Sequence, residues 1–292
     1  MFEKVNPHHP DKIADRIAGA VVDLAYKKQK KPHIAVEVMI GHSVCFVIIE
    51  TDVSISKSEV RDVVLRISPE YVKVKTKIVA QDMSLALNQT EGARCGDSGI
   101  FAGCLTTLEQ KNLTDIAGKI YKKTYSDGKY LIDEHQEYFG EMTICQSNLN
   151  VVPHNVNLSN YMVLFNPLGN WTGGVNTDTG CTNRKLGSDM GSAALGGGLH
   201  GKDLSKADIS LNIMCYLLAK KVRVTVYSKC SIADESVKFW CADKNMNKYL
   251  YKYRKMKFSD VIKIAQYYIK SIGGFEKFAE WGFIRPEYKI NN

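Results

Sequence analysis

Apolar positions near the start of the chain recur at helical spacing. Ile13, Ile17, Val21 and Leu24 share one face of residues 10–31, and Pro10 suits a first turn. Lys27, Lys28, Lys30 and Lys31 complement the dipole at the far end. Two Val- and Ile-rich runs, 33–40 and 43–51, read as strands. Ser56 and Glu59 have the spacing of a capping box and open a helix to about Ile67. At 72–79 the period becomes two. Val72, Val74, Thr76 and Ile78 alternate with Lys73, Lys75 and Lys77, which predicts a half-exposed strand with a solvated lysine face. Residues 1–80 therefore predict an α+β unit, with helices on one face of a mixed sheet.

Beyond it, residues 81–95 lack periodicity and read as a mobile loop, and Gly96-Asp97-Ser98-Gly99 as a tight turn. A helix is expected at 106–124, a turn at Ser126-Asp127-Gly128, and strands at 141–147 and 161–165. The polar, Asn-rich stretch 148–160 reads as loop. Residues 169–203 are dense in glycine and without period, and so long an irregular segment is usually functional. A helix is expected at 205–221, with Ser205 and Asp208 as a capping pair. A hairpin follows at 222–229 and 235–242, then a helix at 259–272 ending on Gly273-Gly274.

Three stretches carry candidate chemistry. Gly196-Gly197-Gly198 runs through Lys202 and Lys206 to Asp208, a glycine-rich turn entering a helix. Spare N–H donors, mobile ammonium groups and a hard oxygen ligand there suit a metal-bound polyphosphate. His8-His9-Pro10-Asp11-Lys12 places a His, a carboxylate and a Lys at a helix start. Gly174 to Lys185 carries Asp178 and then adjacent Arg184 and Lys185. Taken singly, each has a plain reading: a loop capping a helix, a surface turn, a solvated basic loop.

Composition narrows the ligand class. The chain has 292 residues and a net charge of +8, which favours anionic partners, nucleotides or nucleic acid. Its length suits two or three subdomains. No apolar run approaches the ~20 residues that span a bilayer, and Met1–Pro7 has no leader-like apolar core. Eight cysteines without a CxxC pair point to reduced thiols and a cytoplasmic setting. Tyr249, Tyr251 and Tyr253 interleave with Lys252, Arg254, Lys255 and Lys257, a composition that also suits nucleic acid. A solvated basic face explains that stretch as well, and nucleic acid is the less favoured partner.

Taken together, the motifs resemble the S-adenosylmethionine synthetase (methionine adenosyltransferase) family. His9-Pro10-Asp11-Lys12-Ile13-Ala14-Asp15 reproduces that family's opening. Gly96–Gly99 is similar to its Gly-Asp-Gln-Gly turn, and Asp178–Lys185 to its Asp-x-Gly-x-Thr-x-Arg-Lys segment. Gly196–Asp208 is similar to its glycine-lysine loop, and Ala279-Glu280-Trp281-Gly282-Phe283 to its C-terminal motif. All occur in family order.

The resemblance implies an α+β fold of related mixed-sheet-plus-helix subdomains around a pseudo-threefold centre, with the middle one shortened. It implies an N-terminal domain at 1–91, a central one at 92–177 and a C-terminal one at 178–292. It further implies an enzyme that joins L-methionine to ATP and cleaves the triphosphate to phosphate and diphosphate, with Mg²⁺ and K⁺, as a homodimer with sites at the interface. Carried over by motif, His9, Arg184, Lys202 and Lys206 are catalytic. His9, Lys12, Trp171, Arg184, Lys185 and Lys202 hold ATP. Glu50, Gln81, Asp97, Asp178 and Lys206 meet methionine. Asp11 and Asp208 hold Mg²⁺, and Glu37 holds K⁺.

The chain departs from the pattern in places. His8 replaces a Gly, Ser98 replaces a Gln, and the stretch around Leu199-His200 is altered. Phe139 falls where a phosphate-binding lysine is expected; Lys129, or a shifted pairing of that segment, would supply one. The loops at 81–95 and between Thr143 and Asn166 are short. These departures leave a second reading, a catalytically weak relative that binds nucleotide or hydrolyses triphosphate.

Overall fold

The computed structural model describes residues 1–287 other than 69, 91, 134–139 and 155, so Phe139 lies outside the described residues. The first third of the chain holds β1 (Phe2–Val5), α1 (Pro10–Lys28), β2 (Ile34–Gly41), β3 (Val44–Thr51), α2 (Lys57–Ile67), β4 (Lys73–Val79) and α3 (Met83–Thr90). The second holds β5 (Gly99–Gly103), α4 (Leu108–Thr124), β6 (Gly128–Asp133), β7 (Gly140–Gln146) and β8 (Tyr161–Phe165). The last holds β9 (Thr179–Cys181), α5 (Leu186–Met190), α6 (Ala207–Val222), β10 (Val226–Cys230), β11 (Ser236–Cys241), β12 (Lys255–Lys257), α7 (Phe258–Ile272) and α8 (Phe275–Ala279).

The strands form three four-stranded sheets: β4-β3-β2-β9, β1-β6-β7-β8 and β12-β11-β10-β5. Each third of the chain repeats one plan. It gives its first strand to another sheet, then makes a helix, a hairpin and a final edge strand. β1 goes to the second sheet, β5 to the third and β9 to the first, so the exchange closes a ring. The fold is thus α+β with a threefold repeat. The middle repeat is the short one: α2 links β3 to β4, whereas among the described residues no helix links β7 to β8.

Helix α1 is the hub. Nearly every residue from Pro10 to Val22 is buried, and Ile13, Ile17 and Val21 join the core of the first sheet with Val36, Val38, Val47 and Ile49. Helix α6 serves two cores at once. Ile209 and Ile213 face the first, and Leu211, Met214 and Leu218 the third sheet. Strands β2 and β3 alternate strictly, so their outer face presents Ala35, Glu37 and Met39 beside Glu50, Ile48 and Phe46. Met39 and Ile48 are each 53% exposed.

Most of the expected elements form. The Ser56–Glu59 capping box is present, and Gly273 ends α7 at φ 100°. Four expectations are corrected. Residues 83–90 are helical rather than a loop. Helix α1 stops at Lys28, with Gln29 as an extended C-cap residue. Helix α6 runs on to Val222, so the hairpin strand starts later, at Val226. No Ser205–Asp208 cap forms: Lys206 is the N-cap residue, the Ser205 N–H donates to Asp203, and the Asp208 carboxylate pairs with Lys202. The short strands β5, β6 and β9 have too little length or alternation to be read from sequence.

Candidate active site

The site begins at the N-terminus of α1. His9 is its N-cap, and its Nδ1 accepts the Asp11 N–H at 3.2 Å. In a neutral imidazole that leaves the proton on Nε2 as a donor. Burial, then the charge of Lys185, pushes the His9 pKa down to about 3, so the ring stays neutral near pH 7. Strand β9 lies across this helix end. A Cβ on Gly180 would sit 2.0 Å from the Pro10 carbonyl oxygen, so only glycine permits the approach. The approach brings the Cys181 N–H to Asp11 Oδ1 at 2.8 Å. Burial raises the Asp11 carboxyl pKa.

One residue further on, the helix faces inward. Lys12 is fully buried, with Nζ 2.6 Å from Asp189 Oδ2 and 3.0 Å from Asp15 Oδ2, and His200 Nε2 lies 2.9 Å from Asp189. Burial alone would lower the lysine pKa, but Asp189 and Asp15 outweigh it and raise it. The carboxylates Asp15 and Asp189 with His200 have the closeness of a metal triad, but Lys12 already supplies the cation there. The Lys12 ammonium, expected at ATP, is held here by Asp189 and Asp15. Its ammonium is spent beneath the site.

Around His9 and Asp11 the charges stay open. Arg184 is 55% exposed, with Nε 3.5 Å from Asp11 Oδ1. Lys185 pairs with Glu3 at 3.1 Å, and Lys129 meets the other oxygen of Glu3 at 3.0 Å. Across from these cations stand acids. Asp178 caps its own turn through the Thr179 N–H at 2.7 Å. Asp127 accepts the Gly174 N–H at 3.1 Å, and burial, aided by the charges of Asp178 and Asp11, raises its pKa to about 6. Trp171 lies beside Asp127 across Gly173, its Nε1 donating to Asn166 at 3.2 Å.

A second group sits farther along β2. Lys202 bridges to Ala35 and pairs with Asp208. Lys206 has its pKa lowered by burial, against the charges of Asp203, Glu50 and Asp97, while Lys202 lowers it further. Asp97 is exposed in its turn, held by the Cys230 thiol donating to its carbonyl at 3.2 Å. Both polar atoms of the Gln81 side-chain amide are buried without a hydrogen-bond partner among the described residues. Glu37 lies between the two groups and accepts the Thr182 hydroxyl. Cys181 pairs with Met39 and Lys202 with Ala35, so the points where the two groups meet β2 stand about 13 Å apart along the strand.

Comparison with known proteins decides the family. Residues 1–91 match the S-adenosylmethionine synthetase N-terminal domain. The S-adenosylmethionine synthase of Aquifex aeolicus is 30% identical over 279 residues, covering 76% of this chain and 73% of that protein. The chain belongs to the S-adenosylmethionine synthetase family. The synthase of Mycoplasma mycoides is 29% identical over 280 residues, covering 75% of this chain and 72% of its own. An S-adenosylmethionine synthetase from Campylobacter jejuni, described as unusual, has the same fold at a TM-score of 0.77 and 19% identity, covering 97% of this chain and 94% of its own.

Within this S-adenosylmethionine synthetase fold the motif residues fall into two sets. His9, Asp11, Trp171, Asp178, Arg184 and Lys185 gather at the α1–β9 end, and Glu50, Asp97, Lys202, Lys206 and Asp208 at the other. Motif reading missed Glu3 and Asp127. Glu3 stands in an ordinary strand pattern, and Asp127 reads as a turn former.

Proposed function

We propose that the chain joins L-methionine to ATP, forming S-adenosylmethionine and cleaving the released triphosphate to phosphate and diphosphate. The observation that carries this reading is the open charge cluster around a neutral His9. A thioether sulfur attacking C5′ of the ribose has no proton to lose, so no general base is needed. The demand is for donors and cations placed where charge grows on the leaving oxygen. His9 offers an Nε2–H without adding a competing charge, and Arg184, Lys185, Lys202 and Lys206 supply the cations.

Burial, and then the charges of Asp178 and Asp11, raise the Asp127 carboxyl pKa to about 6, and this gathering of three carboxylates fits a divalent cation. Mg²⁺ would be held there by Asp11, and by Asp208 if that carboxylate leaves Lys202. Bound Mg²⁺ offsets charge on the polyphosphate. Glu37 with the Thr182 hydroxyl offers oxygen ligands to K⁺. The unpartnered Gln81 amide, with Glu50, Asp97, Asp178 and Lys206, suits the ammonium and carboxylate of methionine.

The two sets are anchored about 13 Å apart along β2, and the outer face of the first sheet between them exposes Met39, Phe46 and Ile48 among its charged residues. A second copy laid antiparallel on that face would turn one copy's His9 set towards the other's Lys206 set. We therefore propose a homodimer with two shared sites. No helix among the described residues is long and apolar enough to cross a membrane, in keeping with a cytoplasmic enzyme.

Purified protein with ATP, methionine, Mg²⁺ and K⁺ should yield S-adenosylmethionine together with phosphate and diphosphate. Lys206→Ala and Asp11→Ala should each lower turnover by about tenfold or more while the fold survives. Absence of product would overturn the reading. Nucleotide binding indifferent to methionine would favour the weaker, nucleotide-binding relative.

A further inference from the structure

All eight cysteines are free thiols, and two of them meet. Cys95 precedes the Asp97 turn, and Cys230 closes β10 opposite Gly99 of β5. Their side chains share a hydrogen bond in the core of the third sheet, where Cys95 is wholly buried and Cys230 is 7% exposed. The backbone around them is pinned. The Cys95 N–H donates to the Asp234 carbonyl, and the Cys95 carbonyl accepts the Ala233 N–H, each at 2.9 Å. The Cys230 thiol also donates to the Asp97 carbonyl at 3.2 Å. Next to Cys95, the Gly96 N–H donates to the Ser205 carbonyl at 3.1 Å, one residue before Lys206. The pair thus sits under the segments that carry Asp97 and Lys206. The two thiols are not equivalent. The hydrogen bond between them lowers the Cys230 pKa and raises that of Cys95. Cys230 is the readier thiolate and the more accessible sulfur, and Cys95 waits beside it as the resolving thiol.

We propose that Cys95 and Cys230 are a modification site, closing under peroxide to a reversible disulfide that disturbs the Asp97 turn and weakens methionine binding. The Cys230 thiolate attacks one peroxide oxygen, the O–O bond breaks and hydroxide leaves, so Cys230 becomes a sulfenic acid. The Cys95 sulfur then attacks the Cys230 sulfur. The S–O bond breaks, and the departing hydroxyl takes the Cys95 proton and leaves as water. Two thiols are oxidised by two electrons and one peroxide is reduced. An external dithiol reverses the bond by exchange. The new bond removes the S–H that holds the Asp97 carbonyl and pulls on Cys95 between its two backbone partners. Where thiols are kept reduced, such bonds are transient and report oxidant. The effect on methionine rests on the reading of Asp97 and Lys206 as its binding groups; the disulfide itself does not.

The test treats the reduced, full-length chain with hydrogen peroxide, alkylates the remaining thiols and maps linked peptides by mass spectrometry. The expected product is a Cys95–Cys230 link, lighter than the dithiol by its two thiol hydrogens. The KM for methionine should then rise about fivefold or more, the worth of one lost hydrogen bond. The KM for ATP should stay within about twofold of its value in the reduced chain. Dithiothreitol should restore the reduced kinetics. Cys95→Ala and Cys230→Ala should each abolish the link and the reversible change. Cys104→Ala, whose thiol meets Ser192 instead, should keep both. Oxidation that stops at a sulfinic Cys230 beside a free Cys95, or that links other cysteines instead, would overturn the inference. So would a complete Cys95–Cys230 link that leaves the methionine KM unchanged. If the reduced chain makes no S-adenosylmethionine, the synthetase reading fails on its own, and the peptide map still decides the disulfide.

Discussion

Two charge clusters share the first turns of α1 and end in opposite ways. Lys12, Asp15, Asp189 and His200 form a closed knot with almost no exposure, in which each acid meets the lysine at 3.0 Å or less. Lys4 joins from β1, donating to the Ser188 and Trp281 carbonyls, its pKa pushed down to about 7 by burial. Around the buried His9 and Asp11, by contrast, Arg184, Lys185, Glu3 and Lys129 stay partly exposed. Successive helix residues point about 100° apart, so Asp11 lies under β9 while Lys12 turns inward. Charge matched within the chain makes structure. Charge left unmatched at a rim makes a place for a ligand.

The contrast breaks most visibly in the knot. Lys12→Met leaves two buried carboxylates without their cation and should cost about 3–5 kcal/mol. The thermal midpoint should then fall by roughly 10 °C. A shift within 2 °C or so would mean that the knot is not structural.

Arg184→Met probes the opposite case. Turnover should fall about a hundredfold, near 3 kcal/mol of transition-state stabilisation, with a melting curve close to that of the unaltered chain. Loss of stability with intact activity would reverse the roles of the two clusters.

Asp127 lies between the extremes. Its folded pKa of about 6 exceeds the ordinary value of 3.8, so the folded state favours the protonated form. The stability it contributes is full below the ordinary value and is lost as pH rises through 6. Asp127→Asn should therefore stabilise by about 2–3 kcal/mol at pH 8, and by nearly nothing at pH 3. Denaturant titrations at both values check the sign. The smallest effect concerns His9: held down near 3, it should give no inflection near pH 6.5 in kcat/KM. A His9-dependent step there would show an imidazole more open to water than its burial implies.

Much of this was legible beforehand. The period of Ile13 to Leu24, the alternation at 72–79 and the Ser56–Glu59 spacing are local signals that tertiary packing reinforced. The motif residues of the site were legible through family order. The inward turn of Lys12 was not legible, because a motif gives a residue's neighbours in sequence but not which side of the helix it faces. The borrowed strands β1, β5 and β9 owe their places to partners a hundred or more residues away. No local pattern encodes that exchange, which is also why Glu3 and Asp127 came to the site unannounced.

The central claim is that the open cluster at one end of β2 is completed by Lys206 of another copy. Mixing Arg184→Met and Lys206→Met chains after joint refolding tests it directly. Each variant alone should be nearly inactive. In a shared-site dimer, half of the mixed dimers pair one chain of each kind and keep one intact site, restoring about a quarter of full activity. A mixture as inactive as its parts would place both halves of the site in a single chain and contradict the account.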